Sequence, residues 1–229
     1  MASTAEARIT ARVEEPRAVL WDLDGTLADS SEYHWLSWQE VLSEEGVRVT
    51  HDDFLRTFGR RNAEILRIWI GPDVEPGRVA RIGDAKEVAY RKLLRAGGVE
   101  PLPGAAEWVR ALREAGWRQA IASSAPRANI EVMLEVLDFE DLVDAYLGAE
   151  DVTRGKPEPE VFLNAAARLN VPPTRCVVVE DAAAGVEAGR RGGMATIGVG
   201  HGNVGEADVV VRSLADLPPD AFAALLRGR

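Results

Sequence analysis

A chain of 229 residues with 46% hydrophobic content is long enough to bury a large core. Its formal net charge of -10 excludes an extended nucleic-acid surface, which needs clustered cations. One cysteine, Cys176 in the strand-like run RCVVVE, leaves no internal disulfide. No apolar run reaches membrane-spanning length, and MASTAEARITARVEEP lacks the apolar centre of a secretion signal. Residues 1–16 therefore read as a disordered tail on a cytoplasmic protein without a membrane partner.

The first strand is expected in AVLWDLD, and it runs into VLWDLDGTLADS, where Asp22 and Asp24 stand two positions apart with Gly25 and Thr26 directly behind. An alternating strand sends side chains at i and i+2 to the same face, so both acids are expected on one face at its end. Like charges that close repel unless a cation binds between them or one acid keeps its proton.

From about Ser30 to Ala96 no strand is expected, only helical segments: SEYHWLSWQEVLSEEG, HDDFLRTFG, NAEILRIWIG and RVARIGDAKEVAYRKLLRAG. So many helices cannot form one crossover; they predict a helical bundle, residues 30–97, inserted as a lid into a core made of residues 17–29 and 98–229. Within it His34 lies near the start of the first helix, and Arg60 and Arg61 fall in a turn suited to a second anionic group on a ligand. Lys86 interrupts the apolar stripe Ile82, Ala89, Leu93, either snorkelling at its edge or reaching from the lid into a site. Trp35, Trp38 and Trp69 read as lid packing.

Beyond the insert, strands are expected in WRQAIASS, DAYLGAE, RCVVVED, MATIGVG and ADVVV, most of them separated by amphipathic stretches such as GAAEWVRALREAG and PEPEVFLNAAARLN. That alternation predicts an α/β fold, a parallel sheet with helices on both faces, with ligands beyond the carboxyl ends of the strands. GHGNVG, residues 200–205, fits a glycine pattern for dinucleotides but runs into a strand instead of opening a helix, so it reads as a loop.

Four clusters end strands: Asp22 with Asp24; Ser123 with Ser124 in IASSAPRAN; Lys156 in TRGKPEPEVF; and Glu180 with Asp181 in VVVEDAAAGVEAG. Each alone has an ordinary reading as a turn or helix start. Lys156 is harder to dismiss, because the chain has only three lysines against twenty-four arginines and a helix start does not favour a cation. Together the clusters supply carboxylates, a hydroxyl and an ammonium, the inventory for holding a hard cation such as Mg2+ beside a phosphate.

DLDGT, the serine after IA, KPEPEVF and VVVEDAAAGVEAG resemble the four motifs of the haloacid dehalogenase-like superfamily, from about Arg17 onward. DSSEYHWLSWQEVL, the helical insert and YRKLL resemble its β-phosphoglucomutase subgroup. The resemblance implies a Rossmann-like core with an inserted helical cap, with Asp22 as nucleophile and Asp24 as general acid and base, best served by a pKa raised towards the working pH. It implies Mg2+ on Asp22, the Asp24 carbonyl, Glu180 and Asp181; phosphoryl contacts from Ser123, Ser124 and Lys156; Thr26 supporting Asp24; and cap or substrate roles for His34, Arg60, Arg61, Lys86 and Asn129. The activity implied is hydrolysis of a small phosphate ester by a monomer, with β-phosphoglucomutase as the alternative and a non-catalytic phosphometabolite binder as a third reading. SSAPRAN and GRRN depart from the mutase pattern and favour hydrolysis.

Overall fold

The computed structural model describes residues 15–227; the expected tail up to residue 14 lies outside the described residues. Six parallel strands form one sheet: β1 (Ala18–Trp21), β2 (Arg118–Ala122), β3 (Ala145–Leu147), β4 (Cys176–Glu180), β5 (Ala195–Val199) and β6 (Val209–Val211). Their order is β3-β2-β1-β4-β5-β6, with Trp21 opposite Ile121 on one side and Val179 on the other.

The central strands are continuous apolar runs because both their faces are covered. Val19, Trp21, Ile121, Val177 and Val179 join the core beneath α5 (Ala105–Glu114), α6 (Arg127–Leu137) and α9 (Ala221–Leu225). Ala18, Leu20, Ala120, Ala122 and Val178 face the opposite way, onto α7 (Glu160–Arg168) and α8 (Ala183–Arg191).

Between β1 and α5 stand α1 (Ser31–Glu44), α2 (His51–Thr57), α3 (Asn62–Trp69) and α4 (Pro76–Gly97). Their starts are written locally. Thr50 and Asp53 form a reciprocal capping box on α2, and the Glu75 carboxylate accepts the Gly77 and Arg78 amides in front of Pro76. Trp38, Phe54, Ile65, Leu66 and Ile82 form a separate apolar cluster among these helices, with Trp35 and Trp69 packed against it. The Tyr33 hydroxyl donates to the Gly98 carbonyl, tying α1 to the point where the chain returns from α4. No helix among the described residues is long and apolar enough to cross a membrane.

The chain leaves β1 for β2 and β3 on one side, then returns to place β4 on the other. Strand order reverses at β1, and the crevice beyond the carboxyl ends of β1 and β4 is where an open α/β sheet binds ligands.

Candidate active site

β1 stops at Trp21, one residue before the first acid, so strand alternation does not govern Asp22 and Asp24 as expected. The Asp22 amide still bonds the Val179 carbonyl at 2.9 Å, after which the chain turns, with the Leu27 amide donating to the Leu23 carbonyl at 2.9 Å. Gly25 adopts φ +89°, and a Cβ there would lie 2.1 Å from Asp181 Oδ2. The glycine behind the two acids therefore supplies both a left-handed turn and room for a third carboxylate.

The two acids meet different partners. Asp22 accepts the Lys156 ammonium at 2.6 Å, and the same ammonium donates to Glu180 Oε1 at 2.5 Å. Lys156 is carried by a loop that Glu160, the first residue of α7, folds back by accepting the Thr153 and Arg154 amides at 2.8 and 3.0 Å. Glu180 ends β4 and accepts the Ala182 amide at 3.0 Å; Gly185 makes room for it, since a Cβ there would sit 1.8 Å from Oε1. One carboxylate oxygen from each of Asp22, Glu180 and Asp181 falls within a 4.8 Å cluster.

Crowding of like charge shows in the titration of these groups. Burial, and then the charge of Glu180, push the Asp22 carboxyl well above the usual carboxylate range, against the pull of Lys156. The same two causes push Asp181 up to about 6. Burial opposes the Lys156 ammonium, but Asp22 and Glu180 outweigh it and hold its pKa above that of an ordinary lysine.

Asp24 runs the other way. Burial would raise its pKa, but His34, Ser30 and Lys86 together bring it below the ordinary value. The expectation of a raised pKa thus falls on Asp22 and Asp181, not on Asp24. Thr26 does not bond Asp24: its hydroxyl is buried without a hydrogen-bond partner. The hydroxyl that reaches Asp24 Oδ1 belongs to Ser30, which stands at the N-cap position of α1 yet makes no cap bond. A serine just before a helix is the signal that could have found it.

Behind Asp24, His34 Nε2 lies 3.9 Å from Oδ1, with its ring stacked on Tyr90 at a centroid distance of 4.1 Å. Lys86 Nζ is 2.7 Å from His34 Nδ1 and 3.0 Å from Glu87, over the rings of Trp38 and Tyr90. Lys86 is 2% exposed, so it does not snorkel at the edge of its stripe. Asn129 is also buried, bonded to Glu87 and Arg91, and Glu87 had no sequence signal at all.

Ser123 follows β2, buried, with its Oγ accepting the Ala125 amide at 3.1 Å, whereas Ser124 is exposed. Arg60 and Arg61 are exposed, and neither has an ion-pair partner among the described residues. A Cβ on Gly155, next to Lys156, would lie 3.1 Å from Arg61 Nη2, so Arg61 lies over the lysine-bearing loop.

The haloacid dehalogenase-like hydrolase family model matches residues 16–193, spanning every cluster that meets at this crevice. The chain belongs to this family. Among its haloacid dehalogenase-like relatives, the β-phosphoglucomutase of Bacillus subtilis is 32% identical over 208 residues, covering 88% of this chain and 91% of that protein. Fructose-1-phosphate phosphatase YqaB of Escherichia coli is 32% identical over 191 residues, covering 81% and 97%. The crystal structure of a β-phosphoglucomutase from Clostridium difficile superposes with a TM-score of 0.81 at 25% identity, covering 93% of this chain and 97% of that one. The chain is accordingly a haloacid dehalogenase-like enzyme, a phosphohydrolase or phosphomutase, on a six-stranded parallel sheet.

Proposed function

We propose that the chain is a Mg2+-dependent phosphatase of small phosphorylated metabolites, sugar phosphates or similar monoesters, working through an aspartyl phosphate on Asp22. The observation that carries this reading is the Asp22 carboxylate at the edge of the parallel sheet, held 2.6 Å from the Lys156 ammonium within a carboxylate trio. The donor set fits a hard cation: three oxygen ligands, two of them with pKa values raised by burial and by the charge they face. Asp22, Glu180, Asp181 and the Asp24 carbonyl would hold Mg2+, which when bound offsets the charge of the acids and of the phosphoryl oxygens.

In the first step an Asp22 oxygen attacks phosphorus, the bond to the leaving oxygen breaks, and Asp24 gives that oxygen a proton. In the second, water attacks the phosphorus of the aspartyl phosphate, Asp24 takes the proton, and the bond to Asp22 breaks to release inorganic phosphate. Lys156 and Ser123 grip the phosphoryl oxygens while charge builds on them. Asp24 in its depressed state is already the base of the second step, and a phosphoryl anion arriving beside it raises its pKa towards that of the acid needed in the first. The helices of residues 30–97 act as a cap that excludes large polymers. Arg61 over Gly155, with Arg60 beside it, suits a substrate bearing a second anionic group.

A β-phosphoglucomutase reading is supported by the Bacillus subtilis relative. Glu87 favours hydrolysis. A second phosphoryl group anchored at Asn129 needs its amide as donor, and the Glu87 carboxylate already takes that amide at 2.5 Å and the Lys86 ammonium at 3.0 Å. It would also repel the incoming anion. The test is a phosphorus NMR time course with Mg2+, β-glucose 1-phosphate and a trace of glucose 1,6-bisphosphate, followed by a panel of small phosphate esters. Inorganic phosphate is the expected product; glucose 6-phosphate without inorganic phosphate would make the enzyme a mutase.

Asp181 gives the cation a signature independent of turnover. Its pKa is about 6 in the metal-free fold against 3.8 for an unperturbed aspartate. In that window the folded protein keeps a proton that the unfolded chain has released, so stability falls as pH rises, by roughly 3 kcal/mol for a shift of about two units. The cation needs ionised carboxylates, so Mg2+ should raise the melting temperature more at about pH 7.5 than at about pH 5. Equal stabilisation at both pH values would remove Asp181 from the ligand set.

A further inference from the structure

Glu87 sits on α4 with 9% of its surface exposed, and its carboxylate is bonded by three groups from three helices. Asn62 Nδ2, at the start of α3, donates to Oε1 at 2.6 Å; Lys86 Nζ donates to the same oxygen at 3.0 Å; Asn129 Nδ2, in the first turn of α6, donates to Oε2 at 2.5 Å. One turn further along α4, Arg91 Nη1 donates to Asn129 Oδ1 at 2.9 Å. The Asn129 amide is therefore clamped at both ends from α4, an acceptor on its NH2 and a donor on its carbonyl. α6 follows β2 of the sheet and α4 is the last of the helices inserted between β1 and α5, so this clamp crosses between core and insert.

We infer that Glu87 is a positioning residue: it seats the inserted helices on the core through Asn129 while fixing Lys86 against His34, so that the surroundings of Asp24 assemble only when the insert is docked. The argument is one of donors and acceptors. A neutral amide at position 87 offers one acceptor to three donors, of which Lys86 and Asn129 are buried, and turns its own NH2 towards another donor, leaving buried polar groups unpaired. Lys86 is faced by Asp24 and His34 from the segment after β1, by Glu87 and Arg91 from its own helix, and by the rings of Trp38 and Tyr90. Among these, Glu87 is the carboxylate in hydrogen-bond contact with it. His34 in turn lies 3.9 Å from Asp24, so the clamp is two side chains removed from the proton-transfer group.

The inference rests on the phosphatase reading only for its rate measurement. Glu87→Gln should lower kcat/KM by roughly 10- to 100-fold, chiefly through kcat, as expected for losing a buried charge-assisted bond. It should also speed hydrogen exchange in α4 and the first turn of α6 in the substrate-free protein. Asn129→Asp alone sets two carboxylates against each other and should do the same. In the reciprocal swap, Glu87→Gln with Asn129→Asp, the new amide at position 87 donates to the new carboxylate, Arg91 pairs with that carboxylate, and the amide oxygen serves Asn62 and Lys86. The swap should recover kcat/KM to within about threefold of wild type, the coupling expected of residues in contact, together with the exchange protection. A Glu87→Gln enzyme with unchanged kcat and exchange would overturn the inference, as would a swap no better than the two single variants combined. A wild-type protein inactive on every phosphate ester would overturn the phosphatase reading instead, leaving the exchange data to decide the clamp.

Discussion

Replacing Asp22 by Asn should stop turnover while leaving the fold intact. In the proposed mechanism the carboxylate oxygen bonds phosphorus, and an amide cannot take its place, so hydrolysis of p-nitrophenyl phosphate should fall on the order of 10⁵-fold, the scale for loss of a covalent nucleophile. Stability should not fall with it. Burial and the like charges around Asp22 push its pKa up, so removing its charge relieves both in the metal-free protein. Lys156 keeps Glu180 as its partner at 2.5 Å. Thermal melts should therefore show a melting temperature at or above that of wild type without Mg2+, and a smaller increase when Mg2+ is added, because one ligand is gone. An inactive variant that melts lower would instead point to a misfolded site. One that keeps a tenth of its activity would remove Asp22 as nucleophile.

The strands were legible because the sheet is covered on both sides. VLW and VVV have no polar face to blur the pattern, and Asp22, Ser123 and Glu180 each mark the carboxyl end of an apolar run. The assembly of Asp22, Glu180 and Asp181 follows from that rule, since parallel strands bring all their carboxyl ends to one edge of the sheet, whereas Lys156, expected at a strand end, reaches them from the loop before α7, nine residues beyond β3. The local path of the chain was not legible. β1 ends one residue early, and the turn at Gly25 lets Asp22 and Asp24 find different partners.

The polar groups behind Asp24 were hidden for another reason. Ser30 occupies the N-cap position of α1, and only the fold shows its hydroxyl diverted to Asp24. Glu87 follows Lys86 directly, and neighbours on a helix do not share a face, so the apolar stripe that Lys86 interrupts says nothing of Glu87. Its partners Asn62 and Asn129 lie 25 and 42 residues away, on elements whose approach to α4 is a matter of packing. The depressed pKa of Asp24 belongs to the same class, because it depends on groups that reach it from α1 and α4.

Lys156→Ala should damage stability and catalysis by routes that Mg2+ separates. The ammonium bonds two buried carboxylates, Asp22 at 7% exposure and Glu180 at 2%, with Asp181 beside them. Removing it leaves buried anions without their counter-charge, which should cost about 3–5 kcal/mol in the metal-free protein near neutral pH. The sign of the pH dependence follows. Without the ammonium the Asp22 and Asp181 pKa values rise further, the folded state takes up protons that the unfolded chain does not, and the loss shrinks as pH falls. At the proposed site Mg2+ would bring positive charge back to the same oxygens, so urea melts should show it stabilising the variant more than wild type. Turnover should not return with stability: the phosphoryl oxygens still lack the group that meets their developing charge, and kcat should stay about 10²- to 10³-fold down even at saturating Mg2+. Recovery of both together would mean that the lysine serves only to balance the acids, and grip on the phosphoryl group would then have to come from Ser123 and the cation.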